Sequence, residues 1–211
     1  MRSIILWVIV SYLIGSLPTG YLVTKLLHKD SEGKHDWLDI RTIGSGAMGA
    51  TNVGRAMGAF WSWFVAIVDM LKGAFALLLA AHIAPAETQQ TIMALSGFAV
   101  VLGHIFPVWL KFKGGKGVAT SYGTLFFIWP YNSFAVILLC GAVWYAVRWL
   151  TRYVSVASMS SLAISTLFFW MLGAPGVFIG LAAGLSLLVI AAHHENLDRL
   201  IHGKENKWKK K

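Results

Sequence analysis

The chain has 211 residues, of which 57% are hydrophobic and only 13% are charged, and its formal net charge is +9. Soluble domains carry charge on about a quarter of their residues, so this composition excludes an ordinary soluble domain and indicates a protein that crosses a membrane several times. The single cysteine, Cys140, excludes an internal disulfide.

Apolar runs in the sequence predict an all-α polytopic membrane protein with about seven transmembrane helices, in one domain that covers residues 1–211. A full crossing needs about 20 apolar residues for a hydrocarbon core of about 30 Å. The fourth and fifth runs are shorter, so we expect them to begin inside the membrane or to form a re-entrant hairpin. The seven runs cover residues 4–26, 59–82, 91–110, 118–129, 132–147, 154–172 and 177–193.

The basic residues lie almost entirely on one side of these predicted spans. Positive charge favours the cytoplasmic side, which places the C-terminus there and, after seven crossings, the N-terminus outside. The same charge attracts anionic lipid headgroups, whereas nothing beyond charge supports nucleic acid as a partner. Of the 18 Lys and Arg, all except Arg2 and Lys72 fall in the segments 25–55, 111–117, 148–152 and 199–211.

The first polar stretch on the basic side, residues 39–55, contains "GSGAMG", which matches the pattern GxGxxG. A dinucleotide-binding fold is excluded, because a membrane span follows where a βαβ unit would continue. The stretch is then either a solvated turn or a phosphate-binding loop at the start of a helix. In the second case Arg55 offers a planar fork for phosphate oxygens. The candidate hydrogen-bond donors are Ser45, Thr51 and Asn52.

The next span contains the only charges well inside a predicted membrane segment, Asp69 and Lys72. A charge at that depth must be paired or face an interior cavity. Because residues three apart share a helix face, these two can pair with each other. We expect a structural ion pair near the functional site, and the alternative is direct contact with a substrate.

The second polar stretch contains "KFKGGKGVATS", residues 111–121. A Walker A loop is excluded, because Leu110 occupies the position of its first glycine and Gly117 follows Lys116 where Ser or Thr is required. Glycines lack a β-carbon, so their N–H groups can approach an oxyanion closely, and Lys116 adds charge beside a helix that we expect to begin near Val118. The alternative is an ordinary turn with lysines among the headgroups. The candidate phosphate-binding residues are Lys111, Gly114, Gly115, Lys116 and Gly117.

A third polar stretch, "HHEN", lies where the last span meets the basic side. His193 and Asn196 are three residues apart and share a helix face. The histidine can orient or deprotonate a hydroxyl and the asparagine can donate to a developing oxyanion; the alternative is a polar helix end among the headgroups. A metal site is not expected, because the histidines lack the usual i, i+4 spacing and Glu195 points to another face.

Over nearly its whole length the sequence resembles the bacterial acyl-phosphate:glycerol-3-phosphate acyltransferases of the PlsY family. The resemblance implies a seven-helix protein of the bacterial inner membrane whose active site faces the cytoplasm. The motifs that carry it are "GSLPTGYL", "DIRTIGSGAMGATN", "DMLKG", "GHIFPVWLKFKGGKGVAT", "YVSVAS" and "HHENLDRLIHGKE", in the order and spacing of the family.

The implied reaction transfers a long-chain acyl group from acyl phosphate to the sn-1 hydroxyl of glycerol 3-phosphate, giving lysophosphatidic acid and phosphate in the first step of phospholipid synthesis. The resemblance implies no cofactor, and it implies as a further partner the soluble enzyme that makes acyl phosphate. It assigns catalysis to Ser45, Arg55, His193 and Asn196, and glycerol phosphate binding to the loop 114–117. It assigns substrate binding to Ser155, the serine of the third motif, and a structural role to Glu205.

Two departures from the family pattern stand out. Ala47 replaces an asparagine that is usual in the first motif, and segment 28–39 is longer than expected, so we expect it to add an interfacial helix that carries Trp37. The competing functional interpretation is a transporter for a phosphate-bearing metabolite or lipid. A transporter predicts polar residues on both sides of the membrane or a repeat between halves, and the sequence shows neither.

Overall fold

The structure, a computed structural model, describes residues 2–129 and 132–208. Apart from one antiparallel bridge between Lys29 and His35, the regular structure in these ranges is helical. The helices are α1 (Arg2–Gly15), α2 (Thr19–Leu27), α3 (Ala50–Met57), α4 (Ala59–Ile83), α5 (Gln89–Ile105), α6 (Val118–Phe127), α7 (Asn132–Thr151), α8 (Val154–Met171), α9 (Gly176–Ala192) and α10 (His194–Ile201), with short 3₁₀ turns at Ile40–Thr42 and Val108–Leu110.

Each predicted apolar run is helical, and the first is divided into two helices, which confirms the all-helical prediction. Within the described ranges, five segments are long and apolar enough to cross a membrane, and α9 with α10, bent by 58°, forms a sixth if the pair counts as one span. With 10 residues, α6 is about 15 Å long, half of a hydrocarbon core. The five segments are Ile4–Leu27, Ala59–Ile83, Gln89–Leu110, Asn132–Thr151 and Val154–Met171.

The prediction of a short fifth run is wrong, because α7 has 20 residues and is a full-length span. The helix continues through Arg148, whose guanidinium lies over the ring of Trp144 at 5.0 Å and over that of Trp208 at 4.0 Å. Aromatic rings stabilise a cation at the edge of the membrane, so the charge does not end the helix.

The first run is also not one continuous helix. It breaks after Gly15, and α2 starts again at Thr19, directly after Pro18. Proline lacks the N–H that would continue the helical ladder, which explains a break at this position. The break leaves backbone carbonyl groups of the first span without helical partners, and Leu17 is one of the residues whose carbonyl finds a partner elsewhere.

Short α6 is held by close backbone contact with α4. A β-carbon at Gly123 would lie 1.9 Å from the carbonyl oxygen of Met70, and one at Gly73 would lie 2.2 Å from that of Thr120. Only glycine permits this approach, so the two helices pack with their backbones in contact. The contact fixes the height of α6, and therefore of the loop that precedes it.

The predicted ion pair in α4 is confirmed. Lys72 Nζ lies 2.8 Å from Asp69 Oδ1, and both side chains are buried. Lys72 Nζ also donates a hydrogen bond of 2.8 Å to the carbonyl oxygen of Leu17. The pair therefore ties α4 to the break between α1 and α2, which is a structural role.

The expected interfacial helix in segment 28–39 is wrong. The segment folds back on itself through the bridge between Lys29 and His35, and the Asp30 carboxylate accepts hydrogen bonds from the N–H groups of Glu32 and Lys34. Because Asp30 offers the backbone a side-chain acceptor, a turn forms in place of a helix. Trp37 is exposed, and the Lys25 ammonium lies 5.5 Å from its ring centre.

Hydrogen bonds join four connecting segments to one another at one end of the bundle. We call this the basic end, because it holds nearly all described lysines and arginines. The connections at the opposite end are short and carry no lysine or arginine among the described residues. With the adjoining helix ends, the basic end consists of segments 25–57, 106–117, 148–153 and 193–208, which hold every described lysine and arginine except Arg2 and Lys72.

Candidate active site

The first glycine-rich loop, residues 43–49, is shaped by the buried side chain of Asn52. Its Nδ2 donates to the carbonyl oxygens of Ile43 at 2.8 Å and Ala47 at 2.9 Å, and its Oδ1 accepts from the N–H of Ser45 at 3.2 Å. The amide hydrogens of Asn52 are thus directed to the loop. Asn52 therefore shapes the loop, and this corrects the expectation that its side chain donates to a phosphate.

Ser45 is held between two glycines in left-handed conformations, Gly44 with φ of 58° and Gly46 with φ of 68°. On helix α3, Thr51 and Arg55 lie one turn apart, and both are exposed at the basic end. A β-carbon at Gly44 would lie 3.8 Å from Cδ of Arg55, so the arginine stem packs beside this turn. The loop and the arginine therefore form one unit.

In the second loop, the glycines allow the backbone to pack closely against the end of α5. A β-carbon at Gly115 would lie 2.2 Å from Nε2 of His104, and one at Gly114 would lie 2.2 Å from the carbonyl oxygen of the same histidine. Gly117 has φ of 79° and leads directly into α6, which begins at Val118 as predicted. Any larger residue would displace the loop from the end of α5.

The N–H groups of Gly114 and Gly115 donate to the carbonyl oxygens of Ile105 and His104, each at 3.1 Å. This corrects the expectation that these two N–H groups approach an oxyanion. The groups of this region that remain available to an anion are Lys116 and the backbone N–H groups in the first turn of α6, which have no carbonyl four residues earlier in the helix.

The two glycine-rich loops touch each other. The N–H of Met48 faces the carbonyl oxygen of Gly114 at 3.5 Å. Arg55 is close enough for its charge to act on Lys116. Two cations that are 61 positions apart in the sequence therefore lie at the same end of the bundle.

Lys116 belongs to a chain of polar contacts that reaches the C-terminal tail. Its Nζ donates to Oδ1 of Asn196, and Nδ2 of Asn196 donates to Oε1 of Glu205 at 2.6 Å. The same carboxylate accepts from Ser155 Oγ at 2.8 Å and from Arg199 Nε at 2.9 Å. Glu205 is thus the acceptor that organises the other side chains.

The side chains in this series of polar contacts carry a net positive charge. Burial, together with the charge of Arg199, lowers the pKa of Lys116 from 10.5 to about 8, although Glu205 opposes the shift. Burial acts to raise the pKa of Glu205, but its hydrogen bonds from Arg199, Asn196 and Ser155 outweigh burial and hold the pKa below the usual value. Glu205 is ionised at neutral pH, and Lys116 is a cation that gains from an incoming anion.

His193 lies at the junction of α9 and α10 and is buried. Its Nδ1 lies 2.7 Å from the carbonyl oxygen of Val189. A carbonyl oxygen can only accept, so Nδ1 carries the hydrogen, and in the neutral imidazole Nε2 is left with a free lone pair. This arrangement suits a group that accepts a proton.

The buried ion pair lies directly beneath the second loop. Lys72 Nζ is 3.4 Å from Nδ1 of His104, and Asp69 Oδ1 is 3.7 Å from the same nitrogen. The opposite edge of the histidine ring, at Nε2, lies against Gly115. The pair thus lies next to the second loop of the candidate site, and His104 connects the two.

The structure brings most of the predicted residues together and leaves two at the periphery. Lys111 is exposed at the preceding turn, where φ is 53°, and Thr51 is exposed on α3. Among the described residues, no three His, Cys, Asp or Glu side chains form a group that could hold a metal ion. The residues that converge at the basic end are Ser45, Arg55, Lys116, Ser155, His193, Asn196 and Glu205.

The sequence did not point to two residues of this region, Arg199 and His104. Arg199 lies three positions after Asn196, so helical spacing could have placed both on one face of α10. His104 lies in the quoted motif, but its contact with Gly115 depends on how the chain turns back after α5. No local pattern encodes that contact.

Comparison with known proteins assigns the chain to a family. The family model described as glycerol-3-phosphate acyltransferase matches residues 5–203. The chain belongs to the glycerol-3-phosphate acyltransferase family. It is 39% identical over 204 residues to the glycerol-3-phosphate acyltransferase of Desulfotalea psychrophila (strain LSv54 / DSM 12343), with 96% of this chain and 97% of that protein covered.

The fold of this glycerol-3-phosphate acyltransferase matches crystal structures of PlsY (YgiH), an integral membrane glycerol 3-phosphate acyltransferase. The glycerol 3-phosphate form has a TM-score of 0.84 and 35% identity, covering 98% of this chain and 96% of that chain. The lysophosphatidic acid form has a TM-score of 0.82 and 34% identity, with the same coverage. The predicted family and the membrane fold are confirmed, so the chain is an integral membrane acyltransferase that acts on glycerol 3-phosphate.

Proposed function

We propose that this acyltransferase uses a long-chain acyl phosphate as donor and acylates the sn-1 hydroxyl of glycerol 3-phosphate, giving lysophosphatidic acid and phosphate. The observation that carries the proposal is the contact of the two glycine-rich loops at Met48 and Gly114, which brings Arg55 and Lys116 to one end of the bundle. His193, with a free nitrogen, is close enough to Lys116 for the two charges to interact. The reaction brings two phosphate-bearing molecules together, and two cations in one site match that need.

The two cations are suited to different tasks. Arg55 presents a planar guanidinium that can bind two phosphate oxygens at once, and it is exposed at the mouth of the site. Lys116 is a compact charge that is partly buried and already held by Asn196. We assign the glycerol 3-phosphate group to Lys116 and the N-terminus of α6, and the acyl phosphate group to Arg55 with the Ser45 loop.

The chemistry requires little beyond positioning and charge. An acyl phosphate is a mixed anhydride, so its phosphate is a good leaving group. The sn-1 oxygen forms a bond to the acyl carbon, the bond from that carbon to the phosphate oxygen breaks, and phosphate leaves with the electron pair. Asn196 helps to orient the reacting groups, and no acylated enzyme is needed.

The contacts of the motif serine support direct transfer. Ser155 Oγ donates to Glu205, which also accepts from Arg199 and Asn196. A serine nucleophile needs a base that is free to take its proton, and a carboxylate with this many donors is a weak base. Ser155 therefore acts through its contact with Glu205.

The hydroxyl proton has two possible acceptors, Nε2 of His193 and an oxygen of a substrate phosphate. His193→Gln separates them, because glutamine can keep a hydrogen bond but cannot take the proton. An obligatory imidazole base predicts a fall in kcat of about 10²-fold or more, whereas proton transfer to phosphate predicts near-normal turnover.

The proposal includes the bacterial inner membrane as location and a cytoplasmic active site. The support is the charge asymmetry, since the opposite connections carry no lysine or arginine among the described residues. In this location the basic end faces both soluble glycerol 3-phosphate and the soluble enzyme that makes acyl phosphate.

The test is a donor comparison with purified protein. Palmitoyl phosphate and radiolabelled glycerol 3-phosphate should give labelled lysophosphatidic acid, whereas palmitoyl-CoA in the parallel reaction should give little. Arg55→Gln should raise the KM for palmitoyl phosphate more than the KM for glycerol 3-phosphate. Equal or faster product formation from palmitoyl-CoA would contradict the proposed donor.

A further inference from the structure

The last described residues, 204–208, form an extended tail that returns from α10 towards the start of α8. α10 ends at Ile201, and Gly203 reverses the chain with φ of 67°. The N–H of Lys204 donates to the carbonyl oxygen of Arg199 at 2.7 Å. Neither a helix nor a strand includes residues 204–208. Their position therefore depends on contacts with the rest of the protein.

Glu205 is the second residue of this tail, yet its side chain is only 6% exposed. Its carboxylate holds Asn196, which in turn holds Lys116. If the tail moves away, Asn196 and Ser155 lose their acceptor and Lys116 loses its fixed partner. The geometry of the proposed phosphate site thus depends on a segment without secondary structure.

Trp208 attaches the tail three residues later. The backbone N–H of Trp208 donates to the carbonyl oxygen of Arg152 at 2.7 Å, and the indole ring lies 4.0 Å from the guanidinium carbon of Arg148. The same guanidinium lies 5.0 Å from the ring of Trp144, so it is in contact with two indoles. The indole N–H of Trp144 donates to Ser158 Oγ at 3.2 Å, which ties this stack to α8.

The residue that holds Trp208 and the residue that holds Glu205 both lie at the start of α8. Arg152 has φ of 63°, an unusual value for a residue with a side chain, and it forms the turn before α8 begins at Val154. Ser155, in the first turn of α8, contacts Glu205. The tail is thus fixed to the start of α8 on both sides of Asn206, and its path between the two contacts is short.

We propose that Trp208 and Arg148 are positioning residues for acyl transfer, whose stack fixes the tail and so holds the Glu205 carboxylate against Asn196 and Ser155. This inference rests on the proposed site roles of Lys116 and Asn196. Neither residue of the stack touches the substrate, and both act through Glu205.

Trp208→Ala removes the ring that packs on Arg148. The tail is then held by Glu205, by the backbone hydrogen bond from residue 208 to Arg152 and by Lys207 over the ring of Tyr153. We expect kcat/KM for glycerol 3-phosphate to fall about tenfold, mainly through KM, with an unchanged Tm in detergent. Trp208→Phe keeps an aromatic face over Arg148 and should restore most of the activity. The matched control is Trp170→Ala, which removes an exposed indole from the other end of α8 and should leave the kinetics unchanged.

A double-mutant cycle with Glu205→Gln tests whether the stack acts through the carboxylate. In the Glu205→Gln background, Trp208→Ala should lower kcat/KM by less than about twofold, because the carboxylate that Trp208 positions has already been replaced. Arg148→Leu removes the other half of the stack and should show the same coupling, so it carries the test if Trp208→Ala does not fold.

Two results overturn the inference: near-normal activity of Trp208→Ala and Arg148→Leu, or effects that multiply fully with that of Glu205→Gln. A different result marks failure of the proposed site. If Glu205→Gln itself is fully active, the chain from Glu205 to Lys116 does not support catalysis, whatever the tail does.

Discussion

Two clusters of charged side chains meet at the second glycine loop, and they differ in net charge. Beneath Gly115, the carboxylate of Asp69 balances the ammonium of Lys72, and both are buried with His104. At the basic end, three positive charges face two carboxylates, Glu205 and the more distant Glu195. The cations there are Lys116, Arg199 and Arg55.

The difference separates scaffold from site. A buried pair that satisfies its own charge gains nothing from a ligand, and it costs most when one partner is removed. A partly buried cluster with excess positive charge gains from an anion that completes it. Substitutions in the first cluster should therefore affect stability, and substitutions in the second should affect activity.

The largest effect is expected from Asp69→Ala, which leaves the Lys72 charge buried without its partner. Stability should fall by about 3–5 kcal/mol, measured as thermal unfolding in detergent. The control is Asp69→Leu with Lys72→Met, which removes both charges and should recover much of the loss. An unchanged Tm for Asp69→Ala would mean that the pair is not part of the scaffold.

Lys116→Ala should leave the Tm unchanged and lower kcat/KM by about 10²- to 10³-fold, because it removes a preorganised charge from the site. Lys113→Ala is the matched control, since it removes an exposed lysine from the same segment and should change kcat/KM by no more than about twofold. Similar losses in the two variants would indicate a general effect of positive charge.

Gly115→Ala tests the connection between the clusters. The added β-carbon would lie 2.2 Å from the buried ring of His104, so the loop must shift and Lys116 moves with it. A misplacement of about 1 Å should lower kcat/KM by about 10²-fold. Gly141→Ala on α7 has open space around the added carbon and should be active. Normal activity of Gly115→Ala would show that the loop adapts.

The smallest effect is a dependence on pH. Lys116 loses its proton as the pH rises through its pKa of about 8, so kcat/KM for glycerol 3-phosphate should fall several-fold above pH 8. Lys116→Arg keeps the positive charge to higher pH, so the fall in kcat/KM should move to higher pH. The charged groups that act on Lys116 are Arg199, Glu205, Glu195 and Arg55.

The contribution of Lys116 to stability changes with pH in the opposite direction to its expected effect on activity. The pKa of Lys116 is lower in the folded protein than in the unfolded chain, so the unfolded chain binds more protons between about pH 8 and 10.5. The contribution of Lys116 to stability therefore increases with pH in that window. A Tm that falls in step with activity above pH 8 would contradict the assignment to Lys116.

The two clusters also show what the sequence could reveal. The pair of Asp69 and Lys72 was predictable, because helical spacing alone brings residues three apart together. The start of α6 at Val118 was predictable from the glycines before it. The seven apolar runs predicted the helices but not the length of α7, because the aromatic neighbours of Arg148 are visible only in three dimensions.

The contacts of the site required the fold. Lys116 and Asn196 are 80 positions apart, and Glu205 reaches them only because the tail reverses at Gly203. The sequence likewise suggested that the glycine N–H groups face a ligand, whereas those of Gly114 and Gly115 close the end of α5. Such competition between local partners and a ligand is settled by tertiary contacts.

The most direct test is a crystal structure of this chain with glycerol 3-phosphate. Our account predicts the phosphate at the N-terminus of α6, within hydrogen-bond distance of Lys116 Nζ, with the sn-1 hydroxyl directed towards His193. A phosphate bound elsewhere, with Lys116 still held only by Asn196, would contradict it.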